Sequence, residues 1–367
     1  MLTVPFNDLR HRFAAAADDY RAALDRVFDR GWYVLGPELE AFETEFASYH
    51  GNGQAVGVAN GTDAIELSLR AAGIGPGDEV ITVAHTAVAT VCAVERAGAT
   101  PVLVDIDPVS YTIDPAAVRA AITPRTRAIV AVHLYGHPAR LQELSSIGSR
   151  AGLLLVEDCA QAHAATYGGR TVGTFGHIAA FSFYPTKNLG AFGDAGAIYT
   201  ADTGLADRVR RLRNYGQTDR SRHEDSGGFI SRLDELQAAL LRVGLRRLDA
   251  DTAERRRIAE LYLAQLTGVG LPHPAGSEFD PVYHLFVVRH PARDVWRDRL
   301  EQHGVGTLIH YPVPVHLQPA YARLCMRAGA LPTTERAAAE VVSLPLYPGM
   351  TDEQIEAVVH AVNTEAE

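Results

Sequence analysis

The stretch that decides the fold is Ala179-Ala180-Phe181-Ser182-Phe183-Tyr184-Pro185-Thr186-Lys187-Asn188-Leu189-Gly190, which continues to Gly193-Asp194-Ala195-Gly196. Its apolar, aromatic first half is typical of a buried strand that stops at Pro185. Lys187 follows at once, where a glycine-containing loop begins, and such positions often carry chemistry in α/β folds. We expect the glycines to let the backbone approach a bound group closely. A lysine held there loses hydration, which lowers its pKa and makes the neutral amine available for a Schiff base. The alternative is a lysine in an ordinary surface turn.

A second apolar run, residues 153–156, ends in Glu157-Asp158-Cys159-Ala160-Gln161-Ala162-His163. A carboxylate at the carboxyl end of a parallel strand points into the ligand crevice. Enzymes that use pyridoxal phosphate (PLP) need an acid beside the pyridine nitrogen, because the protonated ring is the better electron sink. Asp158 is the candidate for that acid. Its alternative role is to cap a following helix.

Strand-like and helix-like segments alternate over the first two thirds of the chain. Strands are predicted at residues 55–59, 79–84, 102–105, 128–134, 153–156, 180–183 and 197–200, and helices at 14–30, 38–49, 62–72, 87–96, 115–121 and 139–151. This alternation predicts an α/β fold with a mostly parallel, seven-stranded sheet and helices on both faces.

The character of the sequence changes after residue 208. Residues 213–228 are predicted to form a long loop, and 233–264 one or two long helices. A smaller α+β unit is predicted from about residue 272, with strands at 285–288 and 307–310 and helices at 295–303 and 352–362. We therefore predict a large domain over residues 1–250, which holds the cofactor, and a small C-terminal domain over residues 251–367.

Bulk properties exclude several classes of protein. A length of 367 residues suits two domains, and a net charge of −10 argues against a general nucleic-acid binder. The three cysteines are far apart and form no CxxC pair, so neither a disulfide framework nor a zinc site is indicated. Polar residues interrupt the N-terminus, and no segment reaches the ~20 apolar residues that span a membrane. A cytoplasmic location is expected.

At this point the chain resembles a known family, the DegT-type sugar-nucleotide aminotransferases. These proteins have the aspartate-aminotransferase fold and use PLP. The matching segments follow the family's order nearly from end to end, which makes the resemblance specific. They are residues 31–37 with Phe42 and Glu43, 59–64, 158–163, the Lys187 segment, 231–239, 310–312 with His316, and 344–348.

A phosphate site is expected where Asn60-Gly61-Thr62-Asp63 links a strand to a helix, because a helix N-terminus offers free N–H groups. Gly61 and Thr62 are the candidates, and the alternative is that Thr62 only caps the helix. The resemblance adds Ser182 as a second phosphate hydroxyl. It also implies that Gln161 meets the ring oxygen of the cofactor.

Two positions depart from the family pattern. An aromatic residue usually stacks on the PLP ring where this chain has Ala87; His85 and His163 are the alternatives. The family often has an asparagine, reaching the neighbouring subunit's phosphate, where this chain has Ile230. Arg232 keeps the position of an arginine lent across a dimer to an anionic group.

The resemblance also suggests substrate contacts. Tyr311 and His316 lie in a loop that lines the sugar pocket in the family, and Tyr33 and Arg232 are further candidates. Tyr33 and Tyr311 have a packing role as their alternative. His310 and His316 have a spacing that suggests a metal site, but no third ligand is near in sequence, so no metal is expected.

The function implied is a ping-pong transamination. Lys187 holds PLP and later moves the proton between Cα and the cofactor carbon, while Asp158 keeps the ring nitrogen protonated. Glutamate is the expected donor, and a dTDP-linked 3-keto-6-deoxyhexose the expected acceptor, favoured by residues 213–216 and by the pair His85-Thr86. A 4-keto-6-deoxyhexose or an amino-cyclitol ketone is the alternative acceptor. A homodimer is expected because family sites are shared between subunits. The rival from another class is a non-catalytic regulatory module; a related PLP-dependent dehydratase would have histidine in place of Lys187.

Overall fold

The computed structural model describes residues 2–51, 53–219, 221–272 and 276–365. Its strands are β1 Gln54–Val58, β2 Glu79–Val83, β3 Thr100–Val104, β4 Thr126–Val132, β5 Leu154–Asp158, β6 Thr166–Tyr167, β7 Arg170–Thr171, β8 Ile178–Ser182, β9 Gly196–Thr200, β10 Gln217–Asp219, β11 Arg222–His223, β12 Phe279–Asp280, β13 Phe286–Arg289 and β14 Val341–Leu344. Its helices are α1 Arg10–Ala14, α2 Ala17–Arg30, α3 Pro37–Tyr49, α4 Gly61–Ala71, α5 Val88–Arg96, α6 Pro115–Ala121, α7 Leu141–Ala151, α8 Thr203–Leu212, α9 Glu235–Leu245, α10 Leu248–Gln265, α11 Arg293–Gln302, α12 Pro332–Glu340 and α13 Asp352–Thr364.

The main sheet has seven strands in the order β1-β9-β8-β5-β4-β2-β3, as predicted. The pairs β2–β3, β2–β4, β4–β5 and β5–β8 are parallel, whereas β9 runs antiparallel to both β1 and β8. In the centre, Asp158 at the end of β5 pairs with Val132 of β4 and Ala180 of β8. The carboxyl ends of these strands therefore meet at one edge.

Helices cover both faces of this sheet, because each strand is apolar on both sides. On one face, α4, α5 and α8 pack on Val56, Val130 and Val156. On the other, Phe42 and Phe46 of α3 pack against Phe181 together with α9. The sheet is thus the buried middle layer that fixes the loops at its edge.

A second core lies in the C-terminal part of the chain. Side chains of α10, α11 and α13 pack on the antiparallel pair β13–β14, around Trp296 and Phe286. Val4, near the start of the chain, joins this core and bridges to Val305. The predicted domain boundary after residue 250 falls inside α10, and the division into domains stays a prediction.

Several local predictions were wrong. Residues 307–310 are no strand: they make one bridge, Leu308 to Ser343, and a proline-rich loop follows them. The strand pair of this unit is instead β13 with β14. Residues 213–228 are not a continuous loop, because they contain the antiparallel pair β10–β11. In the part of the chain that the structure describes, no helix combines the length and apolar character needed to cross a membrane.

Candidate active site

A cavity of about 270 Å³ opens where the central strands of the sheet end. Six residues that the sequence singled out as cofactor-binding line it together. They are Gly61, Thr62, Asp158, Gln161, Ser182 and Lys187. They come from the start of α4, from the ends of β5 and β8 and from the turns after these two strands, so the sheet topology brings distant segments to one place.

Lys187 lies in the turn that follows β8, where its backbone N–H donates to the carbonyl of Tyr184 at 2.8 Å. Burial lowers the pKa of the Lys187 amine to about 8, against the opposing charge of Asp158. The neutral amine is thus available closer to neutral pH than that of a free lysine. The lowered pKa agrees with the sequence argument, which expected a lysine at this position to lose hydration.

Asp158 is 5% exposed at the end of β5. Burial raises the pKa of its carboxyl group, while the N–H of Ala160 (3.2 Å) and the hydroxyl of Thr90 (2.9 Å) stabilise the ionised form. No cation of the described residues forms an ion pair with this carboxylate. Asp158 is therefore a buried acid whose ionised form a cationic group of a ligand would stabilise. The segment after it forms turns rather than a helix, so the capping alternative does not apply.

The sequence argument missed Thr90. Its buried hydroxyl donates to Asp158 and lies 3.0 Å from the hydroxyl of Thr86, so two threonines form a chain that leads to the acid. Both line the cavity. The two threonines are four residues apart in the sequence, with Thr86 just before α5 and Thr90 in its first turn, and only the contact of Thr90 with Asp158 of β5 reveals their role.

The other end of the cavity suits an anion. Asn60 caps α4, since its side-chain oxygen accepts the N–H of Asp63 at 2.8 Å. The hydroxyl of Thr62 is therefore not needed as the cap. A Cβ on Gly61 would lie 2.6 Å from the Cβ of Ser182, so only glycine lets the start of α4 approach that serine. Free N–H groups and two hydroxyls converge here.

Gln161 is held by two hydrogen bonds that orient its amide. Its Oε1 accepts the backbone N–H of Tyr135 at 2.6 Å, and its Nε2 donates to the hydroxyl of Tyr311 at 3.1 Å. One N–H of the amide is thus left for a ligand in the cavity. The structure assigns Tyr311 a contact with Gln161 that the sequence did not predict.

The other predicted substrate contacts lie outside the lining of this cavity. Tyr33 is 49% exposed, and Arg232 donates to the side chain of Asn214 at 3.2 Å. His316 is buried and bonded to Glu335 at 3.1 Å. Tyr311 is also absent from the lining. A role for these four residues in substrate binding stays a prediction.

Neither alternative for the missing stacking residue lines the cavity, whereas Ala87 does. His85 is fully buried and bonded to the hydroxyl of Tyr135 at 2.7 Å. His163 is buried between Phe181 and Phe183, with ring centroids 5.7 and 5.6 Å away, and burial holds its pKa well below the usual range. Both are packed residues.

Three buried groups near the site have ligand atoms within 4.8 Å of one another: His133, Glu157 and Cys159. The carboxylate of Glu157 already accepts the N–H groups of Gly173, Phe175 and Gly176 at 2.6–2.8 Å, as well as a ring nitrogen of His133 at 3.2 Å. These bonds tie β5 to the segment before β8. The cluster is thus explained as a structural network.

The residues of the cavity fit pyridoxal phosphate. Its phosphate needs N–H groups and hydroxyls, which Gly61, Thr62 and Ser182 offer. Its ring nitrogen needs a buried acid, and its aldehyde needs an amine of lowered pKa; Asp158 and Lys187 meet these demands. The donor set thus matches the phosphate, the ring nitrogen and the aldehyde of the cofactor.

A seven-stranded α/β sheet with this lysine and acid at its carboxyl edge defines the class, that of the aminotransferase fold. The chain belongs, more particularly, to the DegT/DnrJ/EryC1/StrS aminotransferase family, whose model matches residues 15–363. The resemblance drawn from the motifs is confirmed.

Relatives and solved structures agree with this family. The chain is 51% identical over 367 residues to dTDP-3-amino-3,4,6-trideoxy-alpha-D-glucose transaminase of Streptomyces venezuelae, covering 99% of this chain and 96% of that protein. It is 51% identical over 363 residues to the erythromycin biosynthesis sensory transduction protein EryC1 of Saccharopolyspora erythraea, covering 98% of each. The crystal structure of S. venezuelae DesV in complex with a ketimine intermediate matches with a TM-score of 0.97 and 50% identity, covering 100% of this chain and 99% of that one.

Proposed function

We propose that this protein is a PLP-dependent aminotransferase that converts a keto sugar nucleotide to an amino sugar. The observation that carries the proposal is the convergence of Lys187, Asp158 and the anion-binding start of α4 on one cavity. Family membership and the similar transaminases support the same activity.

The residues divide the work. PLP, when bound, supplies an aldehyde carbon that accepts the amino group and a ring that takes up electrons. Gly61, Thr62 and Ser182 would hold its phosphate, and Asp158 would keep its ring nitrogen protonated. Lys187 would hold the aldehyde carbon through Nζ. When the donor takes the place of Lys187, the same Nζ would remove the proton from the donor's Cα and deliver it to the cofactor's aldehyde carbon.

The lowered pKa of Lys187 serves both of these tasks, because a charged amine can neither bond to carbon nor accept a proton. Its value of about 8 lies close to neutral pH, where a general base is most effective. Asp158 opposes the fall in pKa, so the two groups are coupled. No other acid–base group is needed for the proton transfer.

The proposed acceptor is a dTDP-linked 3-keto-6-deoxyhexose, and the proposed donor is glutamate. The similarity to a dTDP-3-amino-sugar transaminase supports this acceptor. Of the residues that suggested this acceptor in the sequence, Arg213 is buried and bonded to the Gly57 carbonyl at 2.7 Å and His85 is packed, whereas Thr86 lines the cavity. A 4-keto-6-deoxyhexose or a cyclitol ketone stays the alternative.

We propose a homodimer in which a partner subunit completes the sugar pocket. Trp32, Tyr33 and Val34 form an exposed apolar segment, and Val34 bridges to Asp234, close in sequence to Arg232. Tyr33 and Arg232 thus belong to one surface. This placement suits side chains that reach the cavity of a second copy.

The proposal is tested by supplying purified protein with PLP, glutamate labelled with ¹⁵N, and either the 3-keto or the 4-keto sugar nucleotide. Transfer of the label to C3 of the 3-keto compound, lost in Lys187→Ala, is the expected result. Label at C4 would favour the alternative acceptor. The name of EryC1, a sensory transduction protein, favours a regulatory module as the second candidate. Absence of label transfer to either ketone would support that candidate instead.

A further inference from the structure

An arginine from the start of the chain holds the loop that carries Lys187. Arg12, in α1, donates through Nη1 to the carbonyl of Pro185 at 2.7 Å and through Nη2 to the carbonyl of Lys187 at 2.6 Å. The two bonds span 173 and 175 residues of sequence. They grip the backbone on both sides of Thr186, in the turn from which the lysine side chain projects.

The guanidinium group of Arg12 binds backbone carbonyls and not a carboxylate. Burial lowers the pKa of its guanidinium, and no carboxylate of the described residues forms an ion pair with it. Asp251 and Arg12 line one small cavity, but the carboxylate of Asp251 pairs with Arg247 at 3.8 Å. Desolvating a guanidinium is costly, and the two hydrogen bonds to the carbonyls offset part of that cost. Bonds from a charged donor are also stronger than neutral ones.

Gly190 shows that the loop is shaped around this side chain. A Cβ at that position would collide with Nη1 of Arg12 and lie 2.5 Å from the carbonyl oxygen of Pro185. Gly190 does not have a positive φ, so its lack of a side chain serves space rather than backbone conformation. At Gly190, the space that a side chain would need is occupied by Arg12.

The opposite side of the lysine is also fixed. Asn188 donates to the carbonyl of Val282 at 3.3 Å, and its Oδ1 lies 3.0 Å from Nδ1 of His284. Lys187 thus lies between two anchored neighbours. Of these contacts, only the one from Arg12 reaches the backbone carbonyl of Lys187 itself.

We propose that Arg12 is a positioning residue for Lys187. By fixing the carbonyls of Pro185 and Lys187, it sets the direction in which Nζ enters the cavity, and so favours the covalent bond to the aldehyde carbon of PLP. The inference rests on the proposed PLP-dependent function. It concerns the lysine alone, because the phosphate and ring-nitrogen contacts come from other elements.

The test compares two forms of the cofactor. Pyridoxal phosphate needs the covalent bond to Lys187, whereas pyridoxamine phosphate binds without one. Dissociation constants of both are measured by absorbance for wild type, Arg12→Ala, Arg12→Lys and the control Arg10→Ala. Arg10 lies in the same helix but is exposed and paired with Asp8 at 2.8 Å.

We expect Arg12→Ala to weaken PLP binding by ~10- to 100-fold while leaving the affinity for pyridoxamine phosphate within about twofold. Arg12→Lys, which reaches one carbonyl only, gives an intermediate loss and keeps the test open if the alanine variant does not fold. Arg10→Ala changes neither constant. Equal losses for the two forms, or no loss in both Arg12 variants, would overturn the inference. Failure of the wild type to bind PLP overturns the proposed function, and this inference with it.

Discussion

Replacing Thr90 by valine removes one hydroxyl and leaves the shape of the side chain nearly unchanged. The hydroxyl is buried and donates to Oδ2 of Asp158 at 2.9 Å, where it stabilises the ionised carboxylate against burial. A hydrogen bond to a charged group contributes about 1.5–3 kcal/mol, so its loss raises the pKa of Asp158 further above its ordinary value. The acid then pairs less well with a protonated ring nitrogen.

We therefore expect Thr90→Val to bind pyridoxamine phosphate about 10- to 150-fold more weakly than wild type at neutral pH. The assay is a spectrophotometric titration of the apoprotein. Because the cost is that of ionising Asp158, the defect should shrink as pH rises. A defect that stays constant over that range would argue for simple misfolding.

Thr82→Val is the matched control. Its hydroxyl is equally buried and donates at 3.0 Å to the carbonyl of Val130, in the same sheet but away from the cavity. The control should lose stability without losing affinity for the cofactor. If the Thr90 and Thr82 variants bind the cofactor equally well, the reasoning about Asp158 is refuted.

Three further predictions concern the same cavity. Since Tyr311 acts through Gln161, Tyr311→Phe should weaken PLP binding by about fivefold. The same substitution should cause no further loss of affinity in a protein that already carries Gln161→Ala. Additive losses in this double-mutant cycle would contradict the prediction. The rate of PLP capture by the apoprotein should rise with pH to a midpoint near the Lys187 pKa of about 8, because the charged amine that prevails below it cannot react; a midpoint near the ordinary 10.5 would show that burial does not act as described. Gly190→Ala should lower the free energy of unfolding by ~1–3 kcal/mol in urea, since its Cβ has no room, whereas Gly75→Ala, with its nearest atom 3.6 Å away, should not; equal effects would count against the close packing.

The sequence predicted the sheet well, because each strand is a short apolar run bounded by turn residues. It failed at residues 307–310, where an apolar segment with strand-like composition is followed by prolines and makes a single bridge. Local composition does not reveal whether a partner strand is available, and here β13 pairs with β14 instead. Pairing is a long-range property that propensity alone does not determine.

The same distinction applies to the site. Lys187 and Asp158 were identified because each follows a buried strand, a local pattern with a known geometric consequence. Arg12 lies in a five-residue helix among charged residues, and nothing nearby in sequence points to a carbonyl 173 residues away. Thr90 was hidden in the same way. Residues such as Arg12 and Thr90, which act by contacting another residue of the site, can be recognised only from the tertiary structure.

The measurement that tests the central claim most directly is the absorbance spectrum of the purified protein with PLP, before and after glutamate, for wild type and Lys187→Ala. We predict a visible band of the lysine-bound cofactor in the wild type, converted by glutamate to the near-ultraviolet band of the amine form. The visible band of the lysine-bound form should be absent in Lys187→Ala. A wild-type band that glutamate does not change, or the same band in the variant, would contradict the account of Lys187 as the residue that carries the reaction.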